Sequence, residues 1–367
     1  MRVCLVGGIF DKPPAYRERH RYTPETTLAD ALEAHGVAVD RVGHRGYRPS
    51  AKHDIVHVNH FGEAALRAAS QLRTPFVFTG HDPRVLEDIP RSAVRRGGYR
   101  FVVAMADGLV ALSHRELAWL DTRVSVNANV RRIPHGFRHD MFQRANVPEA
   151  SQTTVLCVAQ LAPIKGIDIL LRAIASLSDH RIRVRLVYQT AASEQEYRWL
   201  ARRLGIEAQV EFVGFLGTES LVREYSTATV VVLPSRGESR PCVVIEALLC
   251  GTRVIASDVG GVRELLGPHG IVTPRGDVAA LAGAIREVSE RPPLDAAGRA
   301  ALREFAMRQS SIKEMAGAHM ELYEEVVRAG RRRQSGLRRM VAVGVGVVTS
   351  LASRGRQVTG ATRRSGR

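Results

Sequence analysis

Cysteine is scarce in this sequence and never clustered. Cys4, Cys157, Cys242 and Cys250 are the only four in 367 residues, each in or beside an apolar run. With no Cys-x-x-Cys pair and no Cys/His cluster, neither a zinc site nor a disulfide framework is indicated. Buried free thiols in a reducing cytosol are the expectation. Long apolar runs are also missing: nothing approaches the roughly 20 residues that a membrane-spanning helix needs. The opening Met-Arg-Val-Cys-Leu-Val-Gly-Gly is too short an apolar run for a signal peptide and reads as a strand meeting a turn. No Asp-x-Asp loop stands ready for a divalent ion. Acid is absent from one end. Residues 331–367 hold ten arginines and no Asp or Glu, which is +10 of the net charge of +16, and leave a mildly basic +6 for residues 1–330. Charge segregated in this way points to an anionic surface, membrane or nucleic acid, or to a solvated flexible tail. The apolar run at 340–352 would span only about 20 Å as a helix, enough to lie in a headgroup layer but not to cross a bilayer. Without interleaved aromatics or a nucleic-acid module, nucleic acid is not the expected partner.

What is present is a strand–helix alternation that runs twice. Strands are expected at 2–7, 37–42, 54–58, 75–79, 108–111 and 130–133, with helices between, such as 63–72. Thr23-Pro24 supplies a capping hydroxyl and a proline at the first helical position, and Gly36 a stop. The pattern lapses at 146–152, where a linker is expected. A second series follows, with strands at 154–159, 183–188, 210–213, 229–233, 253–257 and 271–273. Helices are expected at 167–177, 194–204, 243–249 and 278–288, and two more at 294–307 and 311–328. The fold class is therefore α/β: two Rossmann-like doubly wound domains, each a parallel sheet covered on both faces, with a cleft between the carboxyl ends of their strands. The expected division is 1–148, 149–308, a C-terminal helix at 309–330 and the basic tail at 331–367.

The densest chemistry is Pro234-Ser235-Arg236-Gly237-Glu238-Ser239-Arg240-Pro241-Cys242-Val243-Val244-Ile245-Glu246-Ala247, which follows a strand and opens a helix. Glu238 in the loop can accept hydrogen bonds from sugar hydroxyls. Glu246, a turn or two along, can take the two hydroxyls of a ribose. Between them the free backbone N–H groups at Cys242 and Val243 can face a diphosphate. Two glutamates on a solvated helix face are the plainer alternative. Upstream, Gln160-Leu161-Ala162-Pro163-Ile164-Lys165-Gly166 is a strand end, a turn and a helix start bearing a lysine, a point charge suited to a diphosphate. A surface lysine beside a glycine turn is the alternative there.

Together these segments resemble glycosyltransferase family 4, the group 1 retaining enzymes of the GT-B fold. Glu238 and Glu246 match its Glu-x7-Glu motif, Lys165-Gly166 its lysine turn, and Gly251 through Gly260-Gly261 and Glu264 the segment that follows. The glycines there would let backbone approach the donor. The family pairs that lysine with an arginine; here Gln160 stands in its place, with Arg236 and Arg240 as candidate substitutes. In the first half, Phe78-Thr79-Gly80-His81-Asp82 resembles the family's strand-end histidine facing the donor sugar. Ala106–Ser113 and Ile133-Pro134-His135-Gly136-Phe137 resemble architectural landmarks, with His135 where asparagine is usual and no catalytic role assigned to it. The stretch 11–22 departs from the family's glycine loop and is expected to be a surface loop.

The resemblance implies a hexosyl-type transferase that moves a sugar from a nucleotide-sugar, a UDP-sugar among the candidates, to a glycan, lipid-linked or small-molecule acceptor with retention. It implies His81, Lys165 and Glu238 as catalytic residues, and Gln160, Lys165, Cys242, Val243, Glu246, Gly260 and Gly261 as donor-binding. No metal or other cofactor is implied. The expected location is cytoplasmic, peripheral on the inner membrane face if the tail binds anionic lipid. A nucleotide-sugar epimerase, a glycosyl phosphorylase and a degenerate sugar-binding protein on the same fold stay open at this point.

Overall fold

A computed structural model describes residues 1–20, 22–71, 74–81, 92–121, 129–147, 152–191 and 193–330. The linker expected at 146–152 falls partly outside these residues, and Asp82 and the basic tail at 331–367 wholly so. Among the described residues no helix is long and apolar enough to cross a membrane.

The strands form two parallel sheets of six. The first contains β1 (Arg2–Val6), β2 (Ala38–Val42), β3 (Ile55–Asn59), β4 (Phe76–Thr79), β5 (Gly108–Ala111) and β6 (Asn129–Arg132), in the order β2-β1-β3-β4-β5-β6. The second contains β7 (Thr154–Val158), β8 (Arg183–Val187), β9 (Val210–Gly214), β10 (Val230–Leu233), β11 (Arg253–Ser257) and β12 (Ile271–Thr273), in the order β12-β11-β10-β7-β8-β9. The central strands read as unbroken apolar runs because helices cover both of their faces. Val230, Val231 and Val232 have no exposed surface. Their β-branched side chains fit a pleated surface better than a helix.

Strand order decides where a ligand can sit. In the second sheet the winding reverses between β7 and β10, which pair directly through Val230↔Val155 and Val231↔Leu156. In the first it reverses between β1 and β3, paired from Val3↔Ile55 to Val6↔Val58. Loops leaving the carboxyl ends of strands at such a reversal diverge to opposite faces and leave a crevice. The Gln160–Lys165 turn leaves β7 and the Glu238 loop leaves β10. Two motifs separated by some 70 residues of sequence thus become neighbours.

The helix Ile312–Gly330 packs into the core of the first sheet. Met315, Leu322, Tyr323 and Val326 are buried there with Val3, Leu28, Val77 and Val110. Its polar anchor is a buried network in which His57 Nδ1 lies 2.6 Å from Tyr323 Oη and His57 Nε2 lies 2.8 Å from Thr79 Oγ1. The His319 ring stands 5.5 Å from that of His57. The two halves are also joined directly: Glu264 accepts from His114 N–H at 2.8 Å and from Arg132 Nη1 at 2.9 Å.

Candidate active site

A cleft of about 760 Å³ lies between the two sheets, lined by His60, His81 and His135 on one side and by Gln160, Lys165, Glu238, Cys242, Val243 and Glu246 on the other. Seven of the nine residues expected from the sequence therefore line one cavity. The exceptions are Gly260 and Gly261. Gly260 has φ +50°, and a Cβ there would stand 2.0 Å from the carbonyl oxygen of Glu238. Gly261 donates its N–H to Ser239 O at 2.8 Å. The side-chain space missing at these two positions is taken by the protein's own loop at Glu238 and Ser239.

Lys165 is one of only four lysines in the chain. It ends a short 3₁₀ turn, Pro163–Lys165, closed by Gly166 at φ +66°. A Cβ on Gly166 would fall 2.0 Å from Pro234 O, so the turn can press onto the exit of β10 only with glycine there. That approach brings Lys165 Nζ to 2.7 Å from Glu238 Oε1. Ser235 Oγ donates to the same oxygen at 2.7 Å, and Glu238 is only 7% exposed. A carboxylate fixed by a cation and a hydroxyl presents its second oxygen in a set direction.

The helix Cys242–Leu249 starts after Pro241 with no side-chain cap. Its first N–H groups, at Cys242 and Val243, are available to an anion at a point where the helix dipole favours negative charge. Glu246 sits one turn further along on the cleft wall and accepts from Tyr225 Oη–H at 2.7 Å. Burial pushes its carboxyl up to about 7, against the pull of that hydrogen bond. Of the two arginines considered in place of one at 160, Arg236 is committed elsewhere: it grips Asp168 with two bonds of 2.7 and 2.8 Å and does not line the cleft. Arg240 does line it. It donates to Gln309 O at 2.7 Å, and its Nε is buried with no hydrogen-bond partner among the described residues, as is Ser239 Oγ. Burial lowers the Arg240 guanidinium to about 10, so it keeps its charge at neutral pH.

Facing them is a row of imidazoles that sequence reasoning only partly found. His81 adopts φ +47° and His60 φ +67°, a region that non-glycine residues occupy at a cost. Their rings are 4.5 Å apart, and His135 stacks on His81 at 5.1 Å. Asn59 gives its amide N–H to Val6 O, so its Oδ1 is left to accept from His81 Nε2 at 3.0 Å. Burial and the neighbouring histidines hold His81 well below its ordinary value. The neutral ring then has its proton on Nε2, and Nδ1 is an acceptor for a hydroxyl. Glu25, in the first turn of the helix Pro24–Ala34, lies 3.1 Å from His60 Nε2; burial opposes its ionisation, but the bond and charge of His60 bring it down to about 2. No motif marked Glu25 or His60, and His135 carried no role. Only the pairing of β1 with β3 brings the first two together. The stretch 11–22 is not a plain surface loop. Pro13 and Pro14 open a short helix, Pro14–Arg19, and the His20 ring after it packs 5.0 Å from that of Phe215, on the cleft's far rim.

The buried histidines make folding pH-dependent. His57, His81, His135 and His319 are all held below their ordinary value, chiefly by burial, His135 to about 3 and His319 to about 4. Their stabilisation is complete above about pH 6.5 and is lost as pH falls towards the folded values. Glu116 and Glu246, both pushed up to about 7 by burial, act in the opposite sense between about 4.5 and 7. His44 and His139 are lowered as well, so between about pH 5 and 6 the protons taken up by the histidines on unfolding outnumber the two released by the glutamates. Unfolding free energy is expected to fall as the pH is lowered from about 6 to 5, by about 1.4 kcal/mol per pH unit for each net proton taken up. Urea midpoints unchanged between these pH values would refute the neutral-histidine description.

Residues 152–291 match the family described as "Glycosyl transferases group 1", and residues 41–140 match "Glycosyltransferase Family 4". The D-inositol 3-phosphate glycosyltransferase of Streptomyces avermitilis is 31% identical over 332 residues, covering 82% of this chain and 70% of that protein. The protein of the same name from Acidothermus cellulolyticus is 31% identical over 317 residues, covering 75% and 70%. Among solved structures, sucrose-phosphate synthase from Thermosynechococcus elongatus superimposes with a TM-score of 0.74 at 23% identity over 90% of this chain and 100% of that one. Anabaena HepE in complex with UDP-glucose gives 0.68 at 20% identity over 89% and 100%. Both superpositions span the two-sheet α/β fold described above.

Proposed function

Because the chain belongs to the group 1 glycosyltransferases of family 4, we propose that its cleft moves a sugar from a nucleoside diphosphate sugar to an acceptor hydroxyl with retention of anomeric configuration. The observation that carries the reading is the convergence of Lys165, Glu238, the uncapped start of the helix Cys242–Leu249 and Glu246 on one wall of one cavity. In this reading Lys165 and the Cys242 and Val243 N–H groups stabilise the charge that grows on the leaving diphosphate, where such fixed donors are worth most. Glu238 orients the sugar, Glu246 binds the ribose, and His81 Nδ1 accepts from a sugar hydroxyl.

Retention fits the state of the carboxylates. Glu25, Glu238 and Glu246 each already hold a hydrogen-bond partner. We read the base as the leaving diphosphate itself: the acceptor oxygen bonds to the anomeric carbon on the face the diphosphate leaves, and its proton passes to a diphosphate oxygen. UDP-sugars are the first donors to test, since a neighbour of the same fold holds UDP-glucose, and a phosphorylated cyclitol is the first acceptor, since the named relatives use one. Nucleoside diphosphate release should depend on acceptor, and the product should keep the donor's anomeric configuration by NMR. An inverted product, or a donor that binds and is never transferred, would contradict the reading.

With Lys165, Arg240 and the helix start facing the diphosphate, the proposal requires no divalent ion. Turnover is expected to persist in excess chelator, and loss restored by magnesium would overturn that part. The basic tail at 331–367 is read as a contact to an anionic membrane surface on the cytoplasmic side. Its removal is expected to abolish retention on anionic vesicles; equal retention of the shortened chain would remove this element.

A further inference from the structure

The first-half wall of the cleft carries a second imidazole that glycosyl transfer as proposed leaves unused. His60 follows β3 directly, as His81 follows β4 by two residues, and the two strands are paired through Asn59↔Thr79. The His60 N–H extends that ladder by one bond, to Thr79 O at 2.9 Å, and the chain then turns through φ +67°. Few residues other than glycine adopt this region, and those that do gather where one side-chain direction is needed.

The two rings are held in the same way. Asn59 Oδ1 lies 3.0 Å from His81 Nε2, and Glu25 Oε1 lies 3.1 Å from His60 Nε2. The Nδ1 of His60 has no hydrogen-bond partner among the described residues. Glu25 is placed by the helix start after Thr23 and by Gly7, where a Cβ would stand 3.0 Å from Glu25 Cγ. Its side chain is only 7% exposed; burial opposes ionisation, but bonds to His60, to its own backbone and to Thr23 bring the carboxyl down to about 2. An ionised carboxylate only accepts, so it keeps a proton on Nε2 and fixes the plane of the ring. The His60 side chain is 47% exposed, lines the cavity and stands 4.5 Å from the His81 ring. A buried carboxylate thus holds a half-exposed imidazole on the cleft wall.

We propose that His60 is an acceptor-binding residue, that its Nδ1 takes a hydroxyl next to the one that reacts, and that Glu25 is its positioning residue. The assignment rests on the glycosyl-transfer reading, in which His81 Nδ1 is occupied by a hydroxyl of the donor sugar. The neighbouring ring is then the next hydrogen-bonding group along this wall that an acceptor meets. A hydroxyl both donates and accepts, so it satisfies Nδ1 in either protonation state. A phosphate at the same place would face the Glu25 carboxylate across the ring, and like charges repel. The acceptor class is therefore a vicinal diol or larger polyol, with any phosphate it carries directed away from His60.

The test is steady-state transfer from UDP-glucose by the full chain, with D-inositol 3-phosphate and its monodeoxy analogues as acceptors. His60→Ala should raise the acceptor KM about tenfold, with kcat changed less and calorimetric affinity for UDP-glucose within about twofold of wild type. His60→Asn should recover part of that loss, since its amide keeps hydrogen-bonding capacity, and it should unfold no more readily than wild type, since asparagine tolerates the left-handed region. Glu25→Gln should raise the acceptor KM by a smaller factor. One deoxy analogue, lacking the hydroxyl that His60 holds, should lose about tenfold in KM with wild type and almost nothing with His60→Ala, a non-additivity that a merely structural role would not produce. Acceptor KM unchanged in both His60 variants, or deoxy analogues losing equally in wild type and variants, overturns the assignment and leaves glycosyl transfer standing. A fall in UDP-glucose affinity that matches the rise in KM places His60 on the donor and overturns it as well. UDP-glucose left unconsumed by wild type with all of these acceptors contradicts the glycosyl-transfer reading itself, and the assignment falls with it.

Discussion

Replacing Lys165 with alanine is expected to lower kcat by a factor of about 10²–10³ with a much smaller change in KM, because in the proposed reading its charge acts where the diphosphate departs. The lysine is well placed to act as a unit with Glu238. Its Nζ is 2.7 Å from Glu238 Oε1, and the pair is anchored by Ser235 on one side and by the Gly166 turn on the other. Arginine at 165 should recover only part of the rate: it keeps the charge but its planar fork does not fit a position shaped for a compact ammonium. Since Gln160 carries no charge and Arg236 is engaged with Asp168, the remaining cations on this wall are few, and the loss should sit at the high end of the range. Glu238→Gln tests the other partner. It keeps hydrogen-bonding capacity but breaks the ion pair, so a double variant should fall far short of the product of the single losses. Single-turnover rates unchanged in Lys165→Ala would remove the leaving-group assignment.

Donor affinity should fall about 30- to 100-fold in Glu246→Ala, the worth of two hydroxyl bonds to a carboxylate. This prediction has a pH signature that a purely structural role would lack. Burial holds the Glu246 carboxyl up at about 7 in the free protein, so near neutrality it is divided between its two forms. Only the ionised form accepts from both ribose hydroxyls. Binding is therefore expected to release protons, and wild-type affinity for the nucleoside diphosphate should fall about tenfold from pH 8 to pH 6. Glu246→Gln should bind weakly and with little pH dependence. Tyr225→Phe, which removes the one bond that favours the ionised form, should move the wild-type profile to higher pH. A pH-independent wild-type affinity, measured by calorimetry in two buffers of different ionisation heat, would refute the ribose assignment to Glu246.

Periodicity made the strands legible. Apolar runs such as Val230–Leu233 and the capped helix after Thr23 specify their conformation locally, so every expected strand is present with ends moved by a residue or two. The Glu238–Glu246 spacing was legible for the same reason: a loop and the helix it opens are rigid neighbours whatever surrounds them. Lys165 and Glu238 were each visible, but not their contact, which depends on β7 lying beside β10. Gly260 and Gly261 signalled a close approach without saying to what; the approach visible in the structure is that of the Glu238–Ser239 loop. Glu25 and His60 gave no signal at all, since a carboxylate in a first helical turn and a histidine after a strand are ordinary in isolation.

The sequence by itself determined the α/β class, the twofold alternation and the segments rich in carboxylate, lysine and glycine, because these follow from patterns a few residues long. Tertiary structure alone decided which of those segments share a cavity, that His81 offers Nδ1 rather than a proton, and that His60 and Glu25 meet on the facing wall. The physical reason is range. Backbone propensity and capping act within a turn or two of chain, whereas proton positions, buried charge and ligand cavities are set by whatever the sheet order and the packing of helices bring to within a few ångströms.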